Sequence, residues 1–133
     1  MRVKLAKRFK IFETEDERLR HSDKFVAWRK RVFIRDRYTC QQCGKDKCVL
    51  NPHHIRMWAR YPKLRFVTDN GITLCEDCHK KTFGQEEYLA EKFERIIQRK
   101  KLATQKYIKR QKRIQNKKSM LKYDLKSCLK IVL

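Results

Sequence analysis

Two C-x2-C knuckles constrain this chain more than any other feature. They are Cys40-Gln-Gln-Cys43 and Cys75-Glu-Asp-Cys78, with 31 residues between them. Thiolates delivered in two such pairs suit a tetrahedral Zn²⁺ at about 2.3 Å per sulfur. Four sulfur ligands leave no open position for a substrate, so this zinc is expected to be structural. It would tie a helix ending near residue 36 to the segment at 75–79, and a core this small needs such a staple. A redox role would not need two pairs. The intervening segment is longer than a simple zinc ribbon requires, so it must fold into something of its own. Cys48 rivals the four by proximity, but its spacing matches no knuckle. Cys128, in the tail, is expected to be an unpaired thiol. The opening MRVKLAKRFK is basic without the apolar stretch of a secretory signal, and acidic residues follow at Glu13, Glu15, Asp16 and Glu17. The expected setting is a reducing, cytoplasmic one (bacterial or phage-infected), where paired Cys read as metal ligands rather than disulfides.

Charge supplies the next bound. The 133 residues include 36 Lys or Arg against 15 Asp or Glu, a net charge of +21. Charged residues are 38% of the chain, against about 25% in an average soluble domain. No apolar run approaches the roughly 18 residues of a membrane span, so no bilayer crossing is expected. A surface this positive calls for a polyanion partner or a very acidic membrane face, and nucleic acid is the commoner answer. With 3 Gly and 2 Pro, collagen-like and Gly/Pro-rich disordered chains are excluded, and long helices are favoured.

Three regions follow from the pattern. Residues 1–21 form a charged, irregular arm, basic and then acidic. Residues 22–97 hold the knuckles and flanking helices. Residues 98–133 form a basic arm. Ser22 is a candidate N-cap, and Phe25, Trp28, Val32 and Phe33 recur at helical spacing, which predicts a helix over 23–36. VLNPHHI at 49–55 reads as a short strand, at a sheet edge or with a bulge, because Pro52 cannot complete a ladder. Residues 56–69 read as a loop whose Trp58, Tyr61 and Phe66 either stack on nucleic acid or pack on the core. Asn70-Gly71 marks a turn, Ile72–Leu74 a second strand, and a helix is expected to start near 75–78. Tyr88, Leu89, Phe93, Ile96 and Ile97 form one apolar helical face opposite Glu86, Glu87, Glu91 and Glu94.

Three of the four His, at 53, 54 and 79, lie in or beside the knuckle-bounded segment. Adjacent His on a strand point to opposite faces. One can therefore hold a metal while its neighbour serves a different group. A lone structural histidine would not explain His53-His54, then Asn70, then His79 directly after a knuckle. The nine-residue step from Asn70 to His79 spans a strand and one helical turn, enough to bring His79 back to the His53 strand.

These motifs, WRKRVFIRDRYTCQQCG, NPHHIRMWARYP and DNGITLCEDCHKKTFG, resemble the four-cysteine type of HNH endonuclease over about residues 25–84. The resemblance implies an α+β fold with a ββα-metal core around one catalytic divalent cation. It implies His54 as the general base, His53 and His79 as ligands of the catalytic cation, and Asn70 as the residue that orients the base and pins the loop. The structural zinc would sit on Cys40, Cys43, Cys75 and Cys78. Many members carry a further metal-binding His four residues beyond the His79 position. Here that residue is Phe83, and so open a shell favours exchangeable Mg²⁺ or Mn²⁺. The resemblance also implies DNA as substrate, 3′-hydroxyl and 5′-phosphate products, and a mobile or homing-type phage or bacterial nuclease. No small-molecule substrate is implied.

Residues 98–118 carry ten Lys or Arg and no acidic residue. Arg99, Lys100, Lys101, Lys106, Lys109, Arg110, Lys112 and Arg113 are the expected DNA contacts. Such contacts position a protein on DNA without reading sequence. A zinc-stabilised binding module without catalysis would explain the Cys and the charge equally well, and an RNA-binding protein of the translation machinery would explain the charge. Neither explains the His and Asn constellation.

Overall fold

A computed structural model describes residues 14–129, with side chains to residue 121. The basic opening lies outside the described residues, and the Cys128 side chain lies outside the described side chains. The chain divides into two compact units after Glu91. No helix among the described residues is long and apolar enough to cross a membrane.

The first unit opens on a helix, α1 (Glu15–Arg20), where an irregular arm was expected. Thr14 caps it: its hydroxyl accepts from the Glu17 amide at 3.2 Å, and the Glu17 carboxylate accepts from the Thr14 amide at 3.3 Å. This reciprocal capping box satisfies two donors that a short helix would otherwise leave bare. The next helix, α2 (Asp23–Arg35), matches its expected span. Ser22 accepts from the Phe25 amide at 3.3 Å, and Trp28 and Val32 are fully buried. Arg37 and Tyr38 then take left-handed φ values of 55° and 50°. The Tyr38 amide closes on the Phe33 carbonyl at 2.9 Å. The chain thereby stops its helix and turns directly into the first knuckle.

The sheet has two antiparallel strands, β1 (Leu50–His54) and β2 (Gly71–Cys75), in the register His53 opposite Ile72 and His54 opposite Gly71. Pro52 sits in β1, as an edge position allows. Helix α3 (Glu76–Lys80) follows β2 without a break. The result is α+β, with two strands, a helix and a cysteine cluster, as a ββα-metal core requires. The turn expected at Asn70-Gly71 is present just before β2. Asn70 ends a 3-10 turn at Thr68–Asn70, and Gly71 opens β2 with extended backbone. Glycine is needed there for clearance: a Cβ would lie 2.5 Å from Val32 Cγ2 and 2.8 Å from Trp28 Cζ2. The core therefore centres on Trp28 and Val32 under β2, with Ile55, Ile72 and Leu74.

Buried polar bonds fix α2 against β2. Asp36 is 1% exposed. Its carboxylate takes two bonds from Arg35, at 3.0 and 2.8 Å, and one from the Thr73 amide at 2.9 Å. Arg35 also donates to the Thr68 and Gly71 carbonyls, both at 2.7 Å. A buried ion pair survives when its remaining donors and acceptors are satisfied in this way.

The last described helix is α4 (Glu86–Leu129). Leu89, Ala90, Phe93 and Ile97 are buried, but Tyr88 is 82% exposed and leaves the expected apolar face. Five residues at about 100° each put Tyr88 roughly 140° around the helix from Phe93. In the second unit, every residue from Lys101 to Leu121 is exposed.

Candidate functional site

The four knuckle cysteines converge. Their sulfurs all lie within 4.8 Å of one another, and Cys43 and Cys75 are 3.6 Å apart. Ligands at 2.3 Å in a tetrahedron have sulfur–sulfur edges of about 3.8 Å, so the spacing fits one metal ion, and an all-thiolate set suits zinc. Cys40 and Cys43 come from the turn after α2, Cys75 from the end of β2 and Cys78 from α3. Gly44, at φ 80°, closes the first knuckle, where its amide reaches the Cys40 carbonyl at 2.9 Å. The Gln41 amide ties that knuckle to the Thr73 carbonyl at 2.9 Å. Burial pushes the Cys40 thiol up, but the amides of Cys75, Cys43 and Gln42 outweigh it and bring the thiol down to about 7. Burial and the neighbouring cysteine sulfurs push Cys78 up. Packing four sulfurs this closely thus penalises the fully deprotonated set, and a cation relieves that repulsion. Cys48 is exposed and stands outside the cluster.

A second site lies in a cleft of about 370 Å³, whose walls include Arg20, His53, His54, Trp58, His79 and Glu86. His53 enters from β1 and His79 from α3, with ring centroids 5.3 Å apart and planes at 75°. Two imidazoles bound to one ion at about 2.1 Å per nitrogen, at octahedral or tetrahedral angles, have centroids roughly 4.6–5.3 Å apart. The pair therefore fits a shared cation. Burial, then the neighbouring His79 and His54, depress the His53 pKa to about 4, so the ring is a neutral lone-pair donor at neutral pH.

His54 is held differently. Its Nε2 donates to the Arg65 carbonyl at 2.8 Å. A carbonyl only accepts, so the proton sits on Nε2 and Nδ1 keeps the lone pair. Trp28 stacks on the imidazole, centroids 4.0 Å apart at 10°, and Trp58 meets its edge at 5.1 Å. Trp28 is itself fixed by donating to the Val67 carbonyl at 3.0 Å. Burial lowers the His54 pKa, partly offset by the Arg65 bond.

Asn70, 5% exposed, does not touch the His54 ring in any bond the structure records. It braces the loop that carries Arg65. Its Oδ1 accepts from the Arg56 amide at 2.7 Å, and its Nδ2 donates to the Arg56 and Leu64 carbonyls, each at 3.2 Å. The Arg65 carbonyl that orients His54 is one residue beyond.

The aromatic loop is resolved in favour of packing at Trp58. Trp58 is 6% exposed, its ring carries the Arg20 and Arg65 guanidinium groups at 4.7 and 4.6 Å, and its indole N–H donates to Asp16 at 2.7 Å. Asp16 and Arg20 belong to α1, so the helix missed in the sequence anchors one wall of the cleft. The signal for it was the Thr14–Glu17 capping pair.

Of the residues named from sequence, the structure brings His53, His54 and His79 into one cleft and the four cysteines into one cluster. Phe83 stands beside His79, with ring centroids 5.7 Å apart, and offers no ligand atom. The basic residues Arg99 to Arg113 lie on α4 in the second unit.

Residues 40–82, about a third of the chain, match the family model described as HNH endonuclease. That span holds all four cluster cysteines together with His53, His54, Asn70 and His79. No curated protein and no solved structure matches the chain.

Proposed function

We propose, from the premise of an HNH endonuclease segment at residues 40–82, that this protein is a divalent-cation-dependent DNA endonuclease with His54 as its general base. The observation that carries the reading is the 2.8 Å bond from His54 Nε2 to the Arg65 carbonyl, which leaves Nδ1 free to take a proton inside the cleft that His53 and His79 line. His54 Nδ1 accepts the proton of a water as the water oxygen bonds to phosphorus. The bond from phosphorus to the 3′ oxygen breaks, giving 3′-hydroxyl and 5′-phosphate ends. Asn70 holds the loop so that the Arg65 carbonyl keeps the ring in one tautomer and one orientation. Mg²⁺ or Mn²⁺ on His53 and His79 would supply charge neutralisation at the scissile phosphate and the departing oxygen. The lysines and arginines of 98–118 bind flanking phosphates and hold the duplex. Zinc on the four cysteines would tie the turn after α2 to β2 and α3 without entering the reaction.

Supercoiled plasmid tests this directly. With Mg²⁺ or Mn²⁺ the full chain should convert it to nicked or linear DNA with ligatable 3′-hydroxyl ends, and a chelator should stop the conversion. Tight DNA binding with no cleavage under any divalent cation would make the protein a zinc-stabilised binding module instead.

A further inference from the structure

We propose that Glu86 is the acidic member of the divalent-cation site in the His53–His79 cleft, supplying the negative charge and oxygen donor that the histidines lack. The inference rests on the reading of that cleft as a cation site. Glu86 is the one carboxylate among the residues lining the cleft. The other charged side chain there, Arg20, is positive, and two neutral imidazoles bring no charge. A dication placed among them would meet net repulsion in a chain of charge +21.

Glu86 is also available. Among the described residues it makes no hydrogen bond and no ion pair, whereas its neighbour Glu87 is engaged by Arg56 at 3.5 Å and Arg60 at 3.4 Å. A favourable helix dipole accounts for acidic residues in the first turn of α4. It does not account for one of them lining the histidine cleft, half-buried. The chain path brings it there. Thr82 ends α3 through bonds to the His79 carbonyl. Gly84, at φ 75°, then reverses the chain, and the Gln85 amide closes on Thr82 at 3.0 Å. The first residue of α4 thus returns to the cleft that His53 and His79 line. Where other HNH enzymes place a further histidine, this chain has Phe83. The carboxylate from the next helix is a harder donor, which favours Mg²⁺ or Mn²⁺ over softer ions.

The test is a Mn²⁺ titration of the zinc-loaded full chain, read by the electron paramagnetic resonance signal of free Mn²⁺ and needing no turnover. Wild type, Glu86→Gln and His79→Ala are compared, with zinc content and circular dichroism confirming each fold. Glu86→Gln should weaken Mn²⁺ binding roughly tenfold or more. If His79→Ala weakens it and Glu86→Gln does not, the role of Glu86 is overturned while the cleft remains the cation site. If neither variant changes it, the cation binds elsewhere and both readings fall. Should Glu86→Gln lose its fold, Glu86→Asp, which keeps the acidic first turn on a shorter stem, should bind severalfold more weakly; unchanged binding would overturn the proposal.

Discussion

His54 shows how much chemistry one residue can borrow from its surroundings. The Arg65 carbonyl fixes its tautomer, Trp28 fixes its plane, and burial keeps it neutral. The motif made the histidine visible in the sequence, because His-His before Asn and a later His is a rare arrangement. It could not show that Trp28, read there as one more apolar residue of a helix, would be the stacking partner, since that contact joins residues distant in sequence. The pH dependence follows. A base works when unprotonated, and burial moves the His54 pKa below the ordinary 6.5. The cleavage rate kcat/KM at fixed Mn²⁺ should therefore be level through neutral pH and fall only below about 6.5. An acid limb that begins above that value would contradict a buried, neutral base.

Among the elements, α2, both strands and the zinc knuckles were legible because periodicity, a cap and spacing each signal locally. The helix α1 carried its own local signal, the Thr14–Glu17 box, which the surrounding run of charge obscured. The Arg35–Asp36 network carried none: two adjacent charges in sequence give no sign that one is buried against the Thr73 amide. At Gly71 β2 approaches α2 too closely to admit a side chain, which supports a stability prediction. Gly71→Ala should cost about 1–3 kcal/mol, the usual range for overpacking. Urea denaturation would check it, and a loss below about 0.5 kcal/mol would mean that Trp28 and Val32 yield easily. The cysteine cluster makes a second prediction at this scale. Purified protein should hold one zinc per chain; Cys43→Ser should lose it and unfold the first unit, since the metal contributes folding free energy. Cys48→Ser should keep its zinc. Loss of zinc in Cys48→Ser, measured by elemental analysis, would show the wrong ligand set.

For the whole molecule, the proposed function divides the work between the charge of +21 and the neutral histidine site. Composition announced the polyanion but not the reaction. On the proposed reading the lysines and arginines of 98–118 supply affinity without direction. If about 6–10 of them neutralise phosphates, DNA affinity should fall on the order of 10³–10⁵ between 50 and 200 mM salt, and a flat salt response in a filter-binding assay would remove that role. Affinity and chemistry should then separate in one experiment. His54→Ala leaves every basic residue and the cysteine cluster in place, so it should bind plasmid as tightly as wild type. Its single-turnover cleavage in saturating Mn²⁺ should be slower by roughly 10²–10⁴, the range a positioned general base contributes. Cleavage by folded His54→Ala at the wild-type rate would contradict the account at its centre.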